Sequence, residues 1–190
     1  MTSRAKGLGT ASFVALSAAL AGTAGCSSTE ALPPIETADH VDLERFMGDW
    51  YVIANIPTFI EKKAYNAVES YALNDDGTVD TTFSFNKGGF DGKRKAYNPR
   101  GFVRDDPSNA IWGMRFVWPF KAEYRVIYLD DAYEQTIIGR SKRDYVWIMA
   151  RTPTIPNEDY FQHIKFLREQ GYDTSKIQRV PQRWDATDES

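Results

Sequence analysis

The side chains able to do covalent chemistry are scattered along this chain rather than gathered. His40 and His163 belong to no run with metal-ligand spacing, so each reads as a surface or packed residue. Three aspartate pairs, Asp75-Asp76, Asp105-Asp106 and Asp130-Asp131, offer the paired carboxylates that acid–base work needs. All three fall between apolar runs, the first followed by Gly77 and the second by Pro107-Ser108-Asn109, and they read as turns. No glycine-rich nucleotide loop is present, so neither catalytic residues nor a cofactor nor a metal is expected. Cys26 is the single cysteine of the 190-residue chain, which rules out an internal disulfide.

The concentrated chemistry is instead the burial of hydrocarbon. Phe83 and Phe85; Trp112, Met114, Phe116 and Trp118; Tyr124, Val126 and Tyr128; and Tyr145, Trp147 and Met149 recur at every second position. That spacing puts each set on one face of a strand. Such faces either line an open cup or pack against one another, and a register slip of one residue would reverse each of them. An open cup would gain about 0.8 kcal/mol per methylene of an acyl chain before association costs.

The elements that must carry these faces are short and β-rich. Strands are expected near 49–56, 67–74, 78–86, 93–104, 109–118, 122–130, 134–140 and 144–151, joined by Asp-, Gly- and Pro-bearing turns. The fold class is therefore all-β: an eight-stranded antiparallel up-and-down meander, closed into a barrel to remove its edges. The Tyr124–Tyr128 strand is apolar on parts of both faces, which calls for an outer cover. Glu158 to Gln170, with Tyr160, Ile164 and Leu167 on one side and Gly171 as a stop, supplies a C-terminal covering α-helix. Ile177 to Val180 adds a short closing or edge strand.

Arg4 and Lys6 precede a weakly apolar run from Leu8 to Leu20, and small residues lead into Ala24-Gly25-Cys26, the order of a secretory signal over residues 1–25. The run is shorter than the ~20 residues of a membrane span. Losing Arg4 and Lys6 would take the formal net charge from -3 to -5, which argues against nucleic acid as a partner. Lys87, Lys93, Arg94, Lys95, Arg100 and Arg104 form either a solvated face or an anionic-headgroup patch. Residues 26–40 read as a tether, 41–181 as the barrel domain and 182–190 as a flexible tail.

Gly48-Asp49-Trp50-Tyr51, entered from Leu43, Phe46 and Met47, resembles the first signature of the lipocalins, at the closed end of an eight-stranded ligand-binding barrel. Trp147-Ile148-Met149-Ala150-Arg151-Thr152-Pro153 resembles the last, whose arginine lies across the first-strand tryptophan. The middle signature is represented by Leu129-Asp130-Asp131-Ala132-Tyr133, which lacks its usual threonine. The resemblance spans about residues 42–180 and extends, through 66–71, 93–97, 144–153 and 171–176, to bacterial outer-membrane lipoprotein lipocalins related to apolipoprotein D. Ala24-Gly25-Cys26 is similar to a lipobox, although Thr23 stands where leucine is usual.

The resemblance implies a binding protein, not an enzyme, anchored through lipidated Cys26. Ser27 in place of a retention aspartate implies the outer membrane, on its periplasmic face. Fatty acids or lysophospholipids are the implied ligands, for storage or transport. Gly48, Trp50 and Arg151 would close the barrel, and the alternating aromatic sets would meet ligand. Headgroup candidates are Tyr65, Asn66, Asn98, Arg100, Arg115, Tyr124 and Tyr145. The loop from Thr58 to Ala64 is a lid, a membrane contact or ordinary packing. Two rival readings are a structural envelope lipoprotein with a self-filled barrel and a lipid-modifying enzyme or isomerase on the same fold.

Overall fold

The computed structural model describes residues 1–2, 32–117 and 119–184; the expected signal, Cys26 and Trp118 lie outside the described residues. From Leu32 onward the chain forms one compact unit. Its strands are β1 (Gly48–Ile56), β2 (Ala64–Leu73), β3 (Thr78–Lys87), β4 (Lys93–Tyr97), β5 (Arg100–Val103), β6 (Ile111–Val117), β7 (Phe120–Leu129), β8 (Gln135–Gly139), β9 (Val146–Ala150) and β10 (Gln178–Arg179). Two α-helices, α1 (Leu43–Phe46) and α2 (Asn157–Glu169), flank the meander.

Each strand pairs antiparallel with its neighbour, and β9 returns to β1 with Tyr51 opposite Ala150 and Ile56 opposite Val146. β4 and β5 both pair with β3 and share one position, so the closed ring is an eight-stranded barrel. A single strand over 93–104 was the expectation. Pro99 breaks it, because proline has no N–H for the ladder, and Thr81 N donates instead to the Pro99 carbonyl at 3.2 Å.

Two hydrophobic clusters share the wall. The inner one includes Trp50, Val52, Val79, Phe83, Phe85, Trp112, Met114, Tyr124, Val126 and Met149. The outer one joins Ile127, Ile137, Val146 and Ile148 to Leu167 of α2. The alternation on β3, β6 and β9 thus points inward as its spacing predicts.

Tyr128 is the exception. A bulge between Val126 and Tyr128 turns Ile127 and Tyr128 both outward, and Leu129 then packs on the inner cluster. The Tyr128 ring lies 5.0 Å from that of His163 and 5.9 Å from that of Phe166, so its expected place in the lumen is corrected to the helix interface. His163 is buried there with Nε2 at 2.8 Å from Gln135 Oε1, and exposed His40 places Nδ1 at 3.1 Å from the Pro107 carbonyl.

The closed end is organised by Arg151. Its guanidinium carbon sits 3.8 Å from the Trp50 ring centroid. Nη1 donates to the Asp49 carbonyl at 2.8 Å, and Nη2 reaches the carbonyls of Arg45, Phe46 and Met47 at 2.9, 3.1 and 2.8 Å. Those of Arg45 and Phe46 are C-terminal carbonyls of α1, with Met47 its cap, which a four-residue helix cannot satisfy itself. Gly48, at φ +92°, brings the chain under the arginine; a Cβ there would lie 3.4 Å from Nη1. The turn without its threonine still closes, since Asp130 Oδ1 accepts from Glu134 N and Gln135 N at 2.8 and 2.9 Å.

The C-terminal segment seals a seam. β1 pairs with β2 over Gly48–Tyr51, and farther along the same edge Ala54 and Asn55 pair with β10. Asn66, at φ +48° beside an irregularity in β2, hydrogen-bonds Arg183 through both ends of its amide, and its own N–H donates to Pro181 O. Gln182 Nε2 donates to Val52 O and Ala67 O at 2.9 and 3.0 Å, bridging the two strands. Residues 182–184, expected in a flexible tail, are therefore part of the wall.

Arg151→Ala strands a cluster of carbonyls at the barrel base and is expected to cost about 2–4 kcal/mol in chemical denaturation. Gln182→Ala, which leaves two strand carbonyls unpaired, is expected to cost about 1–2 kcal/mol by the same measurement.

Candidate functional site

The barrel is filled below and open above. At its base Phe46, Trp50, Tyr71, Trp112 and Tyr124 form one aromatic stack, with Trp112 and Tyr124 rings 5.2 Å apart and nearly parallel. Trp50 Nε1 donates to Phe46 O and Trp112 Nε1 to Asn109 O, so both buried indoles are satisfied. Above this floor lies a cavity of about 560 Å³, lined by Phe83, Met114, Phe116, Ala122, Tyr124, Tyr145 and Trp147 and rimmed by Thr58, Phe59 and Ile60. That volume falls within the ~300–1,000 Å³ of small-molecule sites.

Of the twelve expected lumen residues, the eleven that are described divide. Phe83, Met114, Phe116, Tyr124, Tyr145 and Trp147 line the cavity, while Phe85, Trp112, Val126 and Met149 are buried in the inner cluster without lining it. Tyr128 faces α2. Among the headgroup candidates, Asn98, Tyr124 and Tyr145 line the cavity. Arg100 instead pairs with Asp80 at 2.9 Å, Arg115 lies 4.6 Å over the Phe102 ring, Tyr65 packs on Phe90, and Asn66 holds the tail.

Several polar residues of the cavity escape sequence reasoning, among them Glu123, whose carboxylate accepts from Arg125 Nε and from Ser141. Glu61 folds the first loop over the wall: Oε1 accepts from Trp147 Nε1 at 2.6 Å and Oε2 from Thr58 N at 2.7 Å. Glu69 stands at mid-wall, opposite Trp50 on β1 and Phe83 on β3, with its remaining exposed surface toward the cavity. Burial, with the nearby Glu61 carboxylate adding to it, pushes its pKa up to about 8, and a hydrogen bond with Tyr71 opposes the shift. Beneath it the Tyr71 and Tyr124 hydroxyls meet at 2.5 Å, and burial pushes both phenols well up.

Arg140 and Thr58 complete the set. Arg140 follows β8 at the open end, with Nη1 3.3 Å from Asp144. Its buried Nε and the buried Thr58 hydroxyl have no hydrogen-bond partner among the described residues. Nothing in local spacing marks either one. They are recognisable only once the loops after β1 and β8 are brought to the same rim. Among the described residues no group of three or more His, Cys, Asp or Glu side chains is placed to hold a metal ion.

A closed antiparallel barrel, arginine-capped at one end and hollow toward the other, defines a class of small-molecule container. The sequence comparisons agree: a family model described as a lipocalin-like domain matches residues 41–182, and the chain belongs to the lipocalin family. Temperature-induced lipocalin-1 of Arabidopsis thaliana is 32% identical over 157 residues, covering 78% of this chain and 83% of that one. The outer membrane lipoprotein Blc of Citrobacter freundii is 31% identical over 167 residues, covering 83% and 88%. Insecticyanin of Manduca sexta shares the fold with a TM-score of 0.62 at 16% identity, over 82% of this chain and 87% of that one.

A neutral Glu69 carries a pH signature. Its folded pKa of about 8 lies above the 4.5 of an unperturbed glutamate, so the native state holds a proton that the unfolded chain has released. Stability from this group is full below pH 4.5 and declines as pH rises toward 8. Glu69→Gln is expected to flatten that decline relative to the parent chain in thermal melts across the same window. The difference between the two profiles removes the contribution of His163 and other titrating groups.

Proposed function

We propose that this chain binds hydrophobic ligands with an anionic head, fatty acids or lysophospholipids, for storage or transport at a bilayer. The observation that carries this reading is the half-filled barrel: an apolar cavity whose mouth holds a buried guanidinium Nε and a buried hydroxyl without partners. The acyl chain takes the space between Phe83, Met114, Phe116, Tyr124 and Trp147, each methylene contributing about 0.8 kcal/mol before association costs. Arg140 Nε and Thr58 Oγ1 donate to the head, where a carboxylate or phosphate accepts well from arginine. The uncharged form of Glu69 keeps the mid-wall compatible with hydrocarbon.

Gly48, Trp50 and Arg151 serve closure and stay clear of ligand. The open volume speaks against a barrel filled by its own side chains. Lipidation at Cys26 and outer-membrane placement are supported by the Ala24-Gly25-Cys26 sequence and by relatives named outer membrane lipoproteins, and the periplasmic face is the reading that follows for such an anchor. No helix among the described residues is long and apolar enough to cross a membrane.

Titration with palmitate is expected to quench tryptophan fluorescence saturably, and mass spectrometry of gently extracted protein is expected to release bound lipid. Absence of both would overturn the reading. Arg140→Gln is expected to weaken palmitate binding about tenfold while leaving hexadecanol nearly unaffected.

A further inference from the structure

The open end carries a surface that ligand binding does not explain. Phe59, Phe120 and Phe116 are 84%, 78% and 55% exposed, the first on the loop after β1 and the others flanking the β6–β7 turn. Large apolar side chains gathered at one place on a surface mark a site of interaction with another apolar phase. They surround the mouth of the cavity, which Phe59 and Phe116 also line.

Charge is distributed along the same axis. Lys62 and Lys63 on the first loop, Lys87 and Lys93 at the β3–β4 hairpin, and Lys142 between β8 and β9 are exposed, and none forms a salt bridge among the described residues. The hairpin is tied to the first loop by Gly88 N donating to Lys63 O at 2.8 Å, so four of these lysines lie on adjoining segments. The lysines outnumber Asp91 and Asp144, the exposed acids of the same loops; at the closed end Asp42, Asp49, Asp75, Asp76, Asp105 and Asp131 are exposed and outnumber exposed Arg45 and Arg104. A chain of net charge -3 thus presents a basic, phenylalanine-tipped rim at one end and an acidic cap at the other.

We propose that the rim of the barrel docks mouth-down on an anionic lipid bilayer, with Phe59 and Phe120 entering the headgroup layer and the lysines around them meeting lipid phosphates. Each lysine held near such a surface adds to binding, and the acidic cap is repelled from it, so the field selects the orientation as well as the partner. The route of the chain agrees. Leu32 packs against Gly171 and the Pro33 carbonyl accepts from Arg143 at 2.7 Å, both at the open end of the barrel. Cys26 stands six residues before Leu32 in sequence, at most about 22 Å of extended chain, so an acyl group there restrains this end and not the other. A second copy seated mouth to mouth would instead set lysine against lysine.

The proposal goes beyond ligand binding and is tested apart from it. The full chain carrying Cys26→Ser is floated with phosphatidylcholine vesicles and with vesicles also containing phosphatidylglycerol, so that any contribution of the N-terminus is common to all samples. Preference for the anionic vesicles, weakened by salt, is expected. Lys62→Glu/Lys63→Glu/Lys87→Glu should lower the bound fraction constant about tenfold or more. Phe120→Ser, at a residue outside the cavity lining, should lower it severalfold on the same vesicles. Asp75→Lys/Asp76→Lys, at the closed end, should not lower it. Equal partition of parent and rim variants, or indifference of the parent to phosphatidylglycerol, overturns the proposal. Palmitate titration of the same proteins without vesicles reads the cavity separately, since the exposed lysines line no part of it.

Discussion

One guanidinium holds the base of this barrel. Arg151 ends the last long strand, yet its donors reach the carbonyls of residues 45, 46, 47 and 49, and its plane covers the indole of the first strand. A barrel closed by hydrogen bonds between β1 and β9 still leaves a hole at each end. Here the lower hole is stopped by a charged group whose donors are spent on backbone oxygens, which lets it lie against aromatic carbon without an unpaired hydrogen-bonding group. The aromatic stack of Phe46, Trp50, Tyr71, Trp112 and Tyr124 rests on that plug. Because the base is packed, the void falls near the mouth.

The void is not uniformly greasy. Glu69, Tyr71 and Tyr124 form a short polar column down one side, and its carboxyl stays protonated because ionising it beside Glu61 and away from bulk water is costly. The result is a wall that offers hydrogen bonds without charge. Arg140 and Thr58 at the rim offer donors with charge nearby. Charged donors are therefore confined to the mouth, and the depth of the void keeps only neutral ones.

Much of the fold was legible in the sequence, because period-two alternation survives wherever a strand runs straight: Val79 to Phe85, Trp112 to Met114, and Trp147 to Met149 all face inward as their spacing predicts. It failed where the backbone adds a residue or loses a donor. The bulge at Val126–Tyr128 sends Tyr128 to the helix, and Pro99 splits one strand into two. The cavity was half legible. Its aromatic lining follows from parity, whereas Glu61, Glu69, Arg140 and Thr58 are polar residues whose sequence neighbours give no sign of their surroundings. The roles of Glu61, Thr58 and Arg140 come from loops that meet only when the ring has closed, and that of Glu69 from its place within β2 between two neighbouring strands.

The seam between β1 and β2 bears on when the container comes into being. Its upper half is filled by Gln178–Arg179 and by Gln182, and the side chain of Asn66 is held by the backbone of Arg183, 117 residues later. Until residues 178–183 dock, the wall stays slit along one side. Closing so many distant contacts is slow compared with forming hairpins. Gln178–Arg179 and Gln182 thus act as a latch across the seam, and the wall of the container is complete only once this segment has docked.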